Sequence, residues 1–357
     1  MATMGRKRKN NPLDLPDRVY PKHSAFYYVH KDGRWERLGT DLAEVKRKAA
    51  LYNDPGCSFG TLSWYLDAFI SAMEKRVAQG NLAQRTLEDY RQNIIPLKGA
   101  MGSFLPSAVE PKHIAHYLDL NAEQGRPVRA NREKSCLSAC FTWLIRNGDG
   151  GVKLNPCSGV KRNRETPRER YVEHAELEAV RSIAVPQVRA LLDMIYRTLQ
   201  RPEDIIRWTP ADLIKKREPD GTMRKVIRND QGKTGAIVDI AVTPDIEAIL
   251  TRLRGTGPSP GPGRTLIHTR NGDPYTYDGL CAMLRRYIGK ARADGVALEG
   301  FGFYDLKGKG ATDMWLSGIP LEQIQVLCGH ESVRTTEIYV KCRWRGTVEP
   351  NRVDLAV

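Results

Sequence analysis

The sequence predicts a mainly α-helical protein with small β-sheets, an α+β fold divided into several domains. Three observations carry this. At 357 residues the chain is long enough for two or three domains, taking roughly 100–200 residues per domain. Apolar residues make up 41% of it, sufficient for true cores. A long block of helical spacing, 58–160, lies between two segments where short β-favouring runs alternate with helices.

In order along the chain, residues 1–17 read as a flexible basic tail, with Arg6, Lys7, Arg8 and Lys9 followed by Asn-Asn-Pro. Residues 18–57 read as a small β-β-α unit. Ala25–Val29 and Arg34–Leu38 favour strands and flank Lys31-Asp32-Gly33, a good hairpin turn. Leu42, Val45, Ala49 and Tyr52 then recur at helical spacing. The aromatic residues of this unit serve either as its own small core or as a sheet face laid against DNA.

Residues 58–160 predict four helices: Thr61–Gln79, Ala83–Asn93, Pro111–Gln124 and Arg129–Arg146. The second carries Thr86, Tyr90 and Asn93 along one stripe. The fourth opens basic and polar, with Asn131, Arg132 and Lys134, then turns apolar from Leu137 to Ile145. Such a helix suits one end on phosphate and the other in a core. Residues 161–170, with Lys161, Arg162 and Arg164 ahead of Pro167, read as an exposed basic linker able to cross a phosphate backbone. From 171 to 357 helices mix with strands. Helices are expected at His174–Ala184, Val188–Leu199, Asp245–Leu253, Asp278–Ala293, Lys309–Leu316 and Leu321–Leu327. Strands Lys225–Arg228 and Ala236–Val242 are joined by a polar turn that carries Lys233. A Pro/Gly loop covers Gly255–Gly263.

The net charge of +14 and pI near 9.5 call for a polyanionic partner, either nucleic acid or an anionic membrane surface. No window approaches the roughly 18 uninterrupted apolar residues of a membrane span. The basic start is followed by no apolar stretch, so no secretory signal is expected. Seven cysteines, an odd number with no Cys-x-x-Cys pair, support neither a zinc site nor a disulfide framework. Reduced thiols in a cytoplasm are the plain expectation.

The run Cys328-Gly329-His330-Glu331-Ser332-Val333-Arg334-Thr335-Thr336-Glu337-Ile338-Tyr339 concentrates the chemistry. A phenol can attack a phosphodiester, and an imidazole can hold a phosphoryl oxygen while it does so. Such an attack also needs cationic donors for the non-bridging oxygens and an acid for the leaving 5′ oxygen. Arg201, placed just before Pro202 at a helix start, is a candidate cation. Lys233 on its turn is a candidate acid.

In this order the residues resemble the tyrosine recombinase (phage integrase) family. The matching motifs are Leu199-Gln200-Arg201-Pro202-Glu203-Asp204, then Gln231-Gly232-Lys233-Thr234-Gly235, then Leu327-Cys328-Gly329-His330 with Tyr339. Tyr304-Asp305-Leu306-Lys307 stands where the family has His-x-x-Arg. The resemblance implies that Tyr339 is the nucleophile, becoming linked to a 3′ phosphate. Arg201 and His330 would hold the phosphate, and Lys233 would protonate the leaving 5′ hydroxyl. Tyr304 and Lys307 would fill the third box. There a tyrosine still donates a hydrogen bond, but a lysine lacks arginine's planar fork. Lys309 lies close enough in sequence to assist.

The resemblance further implies a helical core-site-binding domain at 58–160 and a mixed α/β catalytic domain at 171–357. The 18–57 unit would be an arm-type DNA-binding module. The expected activity is site-specific integration or excision of a mobile element, with double-stranded attachment-site DNA as partner and a homotetramer on that DNA. Accessory DNA-bending or directionality proteins fit the scheme. Neither cofactor nor metal is expected, because the phosphotyrosine conserves the bond energy. The expected setting is a bacterial or phage-encoded protein of the cytoplasm, associated with the nucleoid. Two other readings share these residues: a DNA-binding relative with weak or absent cleavage, and a type IB topoisomerase.

Overall fold

A computed structural model describes residues 11–53, 58–166, 168–255 and 263–340. The basic run Arg6–Lys9 and most of the Pro/Gly loop lie outside these residues. The chain divides into two compact units, 1–167 and 168–357.

The first unit opens with an antiparallel sheet of three strands rather than the two expected. These are β1 (Val19–Lys22), β2 (Ala25–Val29) and β3 (Trp35–Gly39), in that spatial order. Pro21 cannot donate to a ladder, and it sits in the edge strand, where that is tolerated. The β1–β2 turn is made by His23 and Ser24, both at positive φ (50° and 58°), so no glycine announces it. Helix α1 (Leu42–Asn53) lays Val45 and Ala49 on Val19, Tyr28 and Leu38.

Four helices follow: α2 (Leu62–Ala78), α3 (Gln84–Met101), α4 (Pro111–Glu123) and α5 (Pro127–Asn147). Thr61 caps α2, its side chain accepting from the Trp64 amide. α3 does not stop at Asn93 but continues through Pro96, because Leu97 and Met101 extend its buried face. Phe69, Leu97, Ile114, Leu118, Leu137, Phe141 and Leu144 fill the shared core. At the polar start of α5, Glu133 is fully buried. It accepts from the Tyr117 hydroxyl at 2.6 Å and from Arg126 at 2.9 Å.

The second unit contains α6 (His174–Ile183), α7 (Pro186–Thr198) and the short α8 (Pro202–Ile205). An antiparallel sheet follows, of β4 (Leu213–Arg217), β5 (Met223–Asp230) and β6 (Ile237–Ala241). Then come α9 (Pro244–Arg254), α10 (Tyr277–Ala293), α11 (Phe303–Leu316), α12 (Leu321–Cys328) and α13 (Val333–Tyr339). β4 is an addition to the expected pair of strands. α11 begins six residues before the expected Lys309, which places Tyr304 and Lys307 on its first turns. Its core half centres on α7, whose Val188, Leu191, Leu192 and Ile195 are fully buried. α11 approaches α7 very closely at Gly310. A Cβ there would lie 2.5 Å from the Tyr196 carbonyl oxygen and 2.6 Å from Leu199 Cδ2.

Candidate active site

The site is built where the C-terminal end of α7, the start of α11 and the α12–α13 turn converge. α7 ends at Leu199 in a left-handed conformation (φ 54°), turning the chain so that Arg201 precedes α8. The Arg201 side chain is 11% exposed, and its Nη1 donates to Gln231 Oε1 at 2.8 Å. Asp204 stands 3.8 Å from the same nitrogen.

α12 ends at Gly329 (φ 65°), and the His330 amide closes the turn onto the Gln325 carbonyl at 3.1 Å. Ser332 then caps α13, accepting from the Arg334 amide. Two turns of α13 carry the Tyr339 ring back over the imidazole. The two rings stack with centroids 5.1 Å apart and planes inclined by 26°. Thr312 on α11 donates to the Tyr339 carbonyl at 3.4 Å.

Lys307 is completely buried, and its Nζ lies 5.0 Å from the Tyr339 ring centroid. That amine has no hydrogen-bond partner among the described residues. Desolvation, reinforced by the nearby Arg201 charge, lowers its pKa to about 8. Burial, with Lys307 and Arg201 alongside, lowers the His330 pKa to about 4 and keeps the imidazole neutral. Burial raises the Tyr339 pKa, with Arg201 opposing, so the phenol rests protonated.

His330 Nδ1 lies 3.0 Å from the buried Thr336 hydroxyl. With that hydroxyl donating, the imidazole proton sits on Nε2, which is buried without a partner among the described residues. Nε2–H is thereby a spare donor beside Tyr339. Thr336 belongs to the Thr-Thr pair, but its link to the imidazole was not foreseen from the sequence.

Tyr304, 41% exposed, donates to Glu203 Oε2 at 2.7 Å, and burial together with that carboxylate pushes its pKa up. Lys233 is exposed on the β5–β6 turn and makes no hydrogen bond or ion pair among the described residues. Four expected residues therefore cluster: Arg201, Lys307, His330 and Tyr339. Tyr304 borders them, and Lys233 stands apart on its turn. Lys309 does not assist. It is fully buried elsewhere, 3.1 Å from the Tyr171 hydroxyl and 3.2 Å from Asp313.

The candidate DNA contacts lie in the first unit. Thr86 and Tyr90 are half-buried on α3, Tyr90 packing its ring on Phe69 at 5.2 Å. Asn131, expected on the surface, is 1% exposed. Its amide donates to the Asn163 carbonyl and Glu165 and accepts from the Asn163 amide, all within 2.8–2.9 Å. It is a clamp for the segment after α5, and its side chain does not face solvent. Lys134 donates to the Val160 carbonyl at 2.8 Å and Arg162 to Ser135 at 3.1 Å. Lys161, Arg162 and Arg164 are thus held exposed along α5 beside exposed Arg132, and this stretch is pinned rather than a free linker.

Residues 170–343 match the family model described as the phage integrase family. The integrase of Escherichia phage HK022 is 24% identical over 96% of this chain and 98% of its own length. The tyrosine recombinase XerD of Ralstonia nicotianae is 23% identical over 73% of this chain and 85% of its own. Among solved structures, a lambda integrase tetramer bound to a Holliday junction superposes with a TM-score of 0.66 at 19% identity. That match covers 96% of this chain and 99% of the other, and shows a shared fold. Residues 170–343 belong to the tyrosine recombinase (phage integrase) family. Within it, the chain is a site-specific recombinase of the integrase type.

Proposed function

We propose that this protein cuts and rejoins double-stranded DNA at attachment sites through a 3′-phosphotyrosyl intermediate, so integrating or excising a mobile element. The observation that carries this is the stacked His330–Tyr339 pair, with Lys307 over the phenol and Arg201 acting on all three. One nucleophile and three donors from distant segments meet in one small volume. Such preorganised donors act most strongly where charge develops in the transition state.

In the proposed step the Tyr339 oxygen bonds to phosphorus as its phenolic proton passes to solvent water, and the P–O5′ bond breaks. Arg201, Lys307 and His330 Nε2–H hold the non-bridging oxygens. Lys233 swings in from its exposed turn to protonate the 5′ oxygen. Tyr304, tied to Glu203, orders the wall beside Arg201. Charge compensation comes from side chains, so the scheme uses neither metal nor cofactor. Rejoining is the same reaction run backwards, with a 5′ hydroxyl as attacking group.

DNA is held by the basic face of α5 and its following segment, with α3 beside it. The exposed Trp35, Tyr20 and Lys22 on the 18–57 sheet suit an arm-type contact. A homotetramer on DNA is supported by the lambda integrase tetramer on a Holliday junction. Accessory bending or directionality proteins, and a cytoplasmic, nucleoid-associated setting, complete the proposal. No described helix is long and apolar enough to cross a membrane.

A nicked suicide duplex carrying the attachment site tests the reading. Wild-type protein should form a covalent adduct that survives denaturing electrophoresis, and Tyr339→Phe should form none. An adduct persisting in Tyr339→Phe would remove Tyr339 as the nucleophile.

A further inference from the structure

We propose that Gln231 is a positioning residue of this site, its carboxamide holding the Arg201 guanidinium and the His330 turn in one frame. The inference rests on Arg201 and His330 being phosphate-binding groups, as proposed above. Gln231 is fully buried at the end of β5, two residues before Lys233. Its Oε1 accepts from Arg201 Nη1 at 2.8 Å and from the Thr234 hydroxyl at 2.8 Å. Its Nε2 donates to Gln200 Oε1 at 2.8 Å and to the Cys328 carbonyl at 2.9 Å. Both lone pairs and both N–H groups are used, the full capacity of a carboxamide.

The amide cannot be turned round, because its neighbours have fixed polarity. Trp208 Nε1–H, which can only donate, gives to Asn229 Oδ1 at 2.7 Å. Asn229 Nδ2 therefore gives to Gln200 Oε1 at 2.8 Å, while Gln200 Nε2 faces the carbonyls of Thr198 and Leu327. Gln200 Oε1 must accept, so Gln231 Nε2 must donate to it. At the other end Arg201 has only donors, so Gln231 Oε1 must face it. The amides therefore have one consistent assignment, with donation running from Trp208 through Asn229 and from Arg201 through Gln231 to meet at Gln200 Oε1, all in a buried setting where such bonds reinforce one another.

Backbone shape fits the same purpose. A Cβ on Gly329 would lie 2.5 Å from Gln231 Nε2. Glycine at this turn therefore serves the close approach of the carboxamide as well as the positive φ. A neutral amide also suits the task better than a carboxylate. Glutamate would bind Arg201 but neutralise the charge required at the phosphate, and it would set bare oxygens against Gln200 Oε1 and the Cys328 carbonyl.

The test uses the full chain with Gln231→Met, similar in volume but without the amide, and Gln231→Glu. Adduct formation on the nicked duplex should slow on the order of 10- to 100-fold in Gln231→Met, as for a misplaced reacting group. DNA affinity by gel shift should stay within about twofold, and the melting temperature should fall with the loss of these buried hydrogen bonds while the chain still folds, so cleavage is compared well below the transition. Combined with Arg201→Lys, the same change should cost less than about threefold more, because the two act as a unit. Wild-type cleavage by both single variants, losses that multiply fully in the double variant, or DNA affinity falling in step with cleavage would each overturn the proposal. Wild-type cleavage by Arg201→Ala would instead overturn the underlying site reading.

Discussion

The Lys307 amine sits 5.0 Å from the centre of the Tyr339 ring, wholly buried and without a hydrogen bond among the described residues. A cation over an aromatic face is attracted to it, but that attraction is smaller than the cost of removing an ammonium from water. Desolvation accordingly lowers the pKa of the amine to about 8. The arrangement is thus unfavourable to the folded protein, and under the proposed mechanism it is the phosphate that would supply the missing partner.

Lys307→Met should therefore stabilise the protein while abolishing cleavage. The lowering from 10.5 to about 8 corresponds to a cost of about 3 kcal/mol at neutral pH. The unfolded chain binds more protons than the folded one between about pH 8 and 10.5, so this cost is relieved as pH rises through that window. Thermal melts should show Lys307→Met several degrees above wild type at pH 7, the gap narrowing towards pH 10. A lower melting temperature for the variant would contradict the unpaired buried amine.

His330 is held neutral, with a folded pKa near 4 against an ordinary 6.5. The unfolded chain then binds the extra proton between these values, so this contribution to stability is lost as pH falls from about 6.5 to 4. Its ring resonances, assigned against His330→Gln, should show no titration from pH 5.5 to 8. An inflection near 6.5 would mean that the imidazole is far better solvated than its stacking implies.

Thr336→Val keeps the shape of the α13 packing but removes the hydroxyl that sets the His330 tautomer. Cleavage should slow on the order of 10- to 100-fold with DNA affinity unchanged. Unaltered cleavage would show that Nε2 carries its proton without this hydrogen bond.

Lys233→Ala removes an exposed side chain without a partner among the described residues. The melting temperature should move by no more than a surface substitution allows, about 0.5 kcal/mol. Single-turnover cleavage should fall by about 10²- to 10⁴-fold if Lys233 protonates the leaving oxygen. A full rate in this variant would move the acid elsewhere.

The clustering of Arg201, Lys307, His330 and Tyr339 in the candidate site was largely legible because these residues occupy short motifs with fixed neighbours. Arg201 is followed by Pro202, and His330 precedes a capped seven-residue helix that ends on Tyr339. The errors have physical origins. Gly308 and Gly310 hid the start of α11, since glycine reads as a helix breaker unless a neighbouring backbone demands it. β4, Leu-Ile-Lys-Lys-Arg, has three charged residues in five and pairs only along its β5 side. Asn131 sits at the polar end of its helix, yet that polarity faces the chain after α5 rather than solvent. Gln231 was visible in its motif, but its role depends on residues from position 200 to 328 that only folding brings together.

The contact at Gly310 has a mechanical consequence. With the α11 backbone laid against the Tyr196 carbonyl and Leu199, α11 offers no side chain of its own at this contact. No rotamer of α11 can take up slack there, and α11 must follow any displacement of that end of α7. The separation of Lys307 from Arg201 is thereby set by main chain, like two jaws cut from one casting, while Lys233 on its turn is the part free to travel.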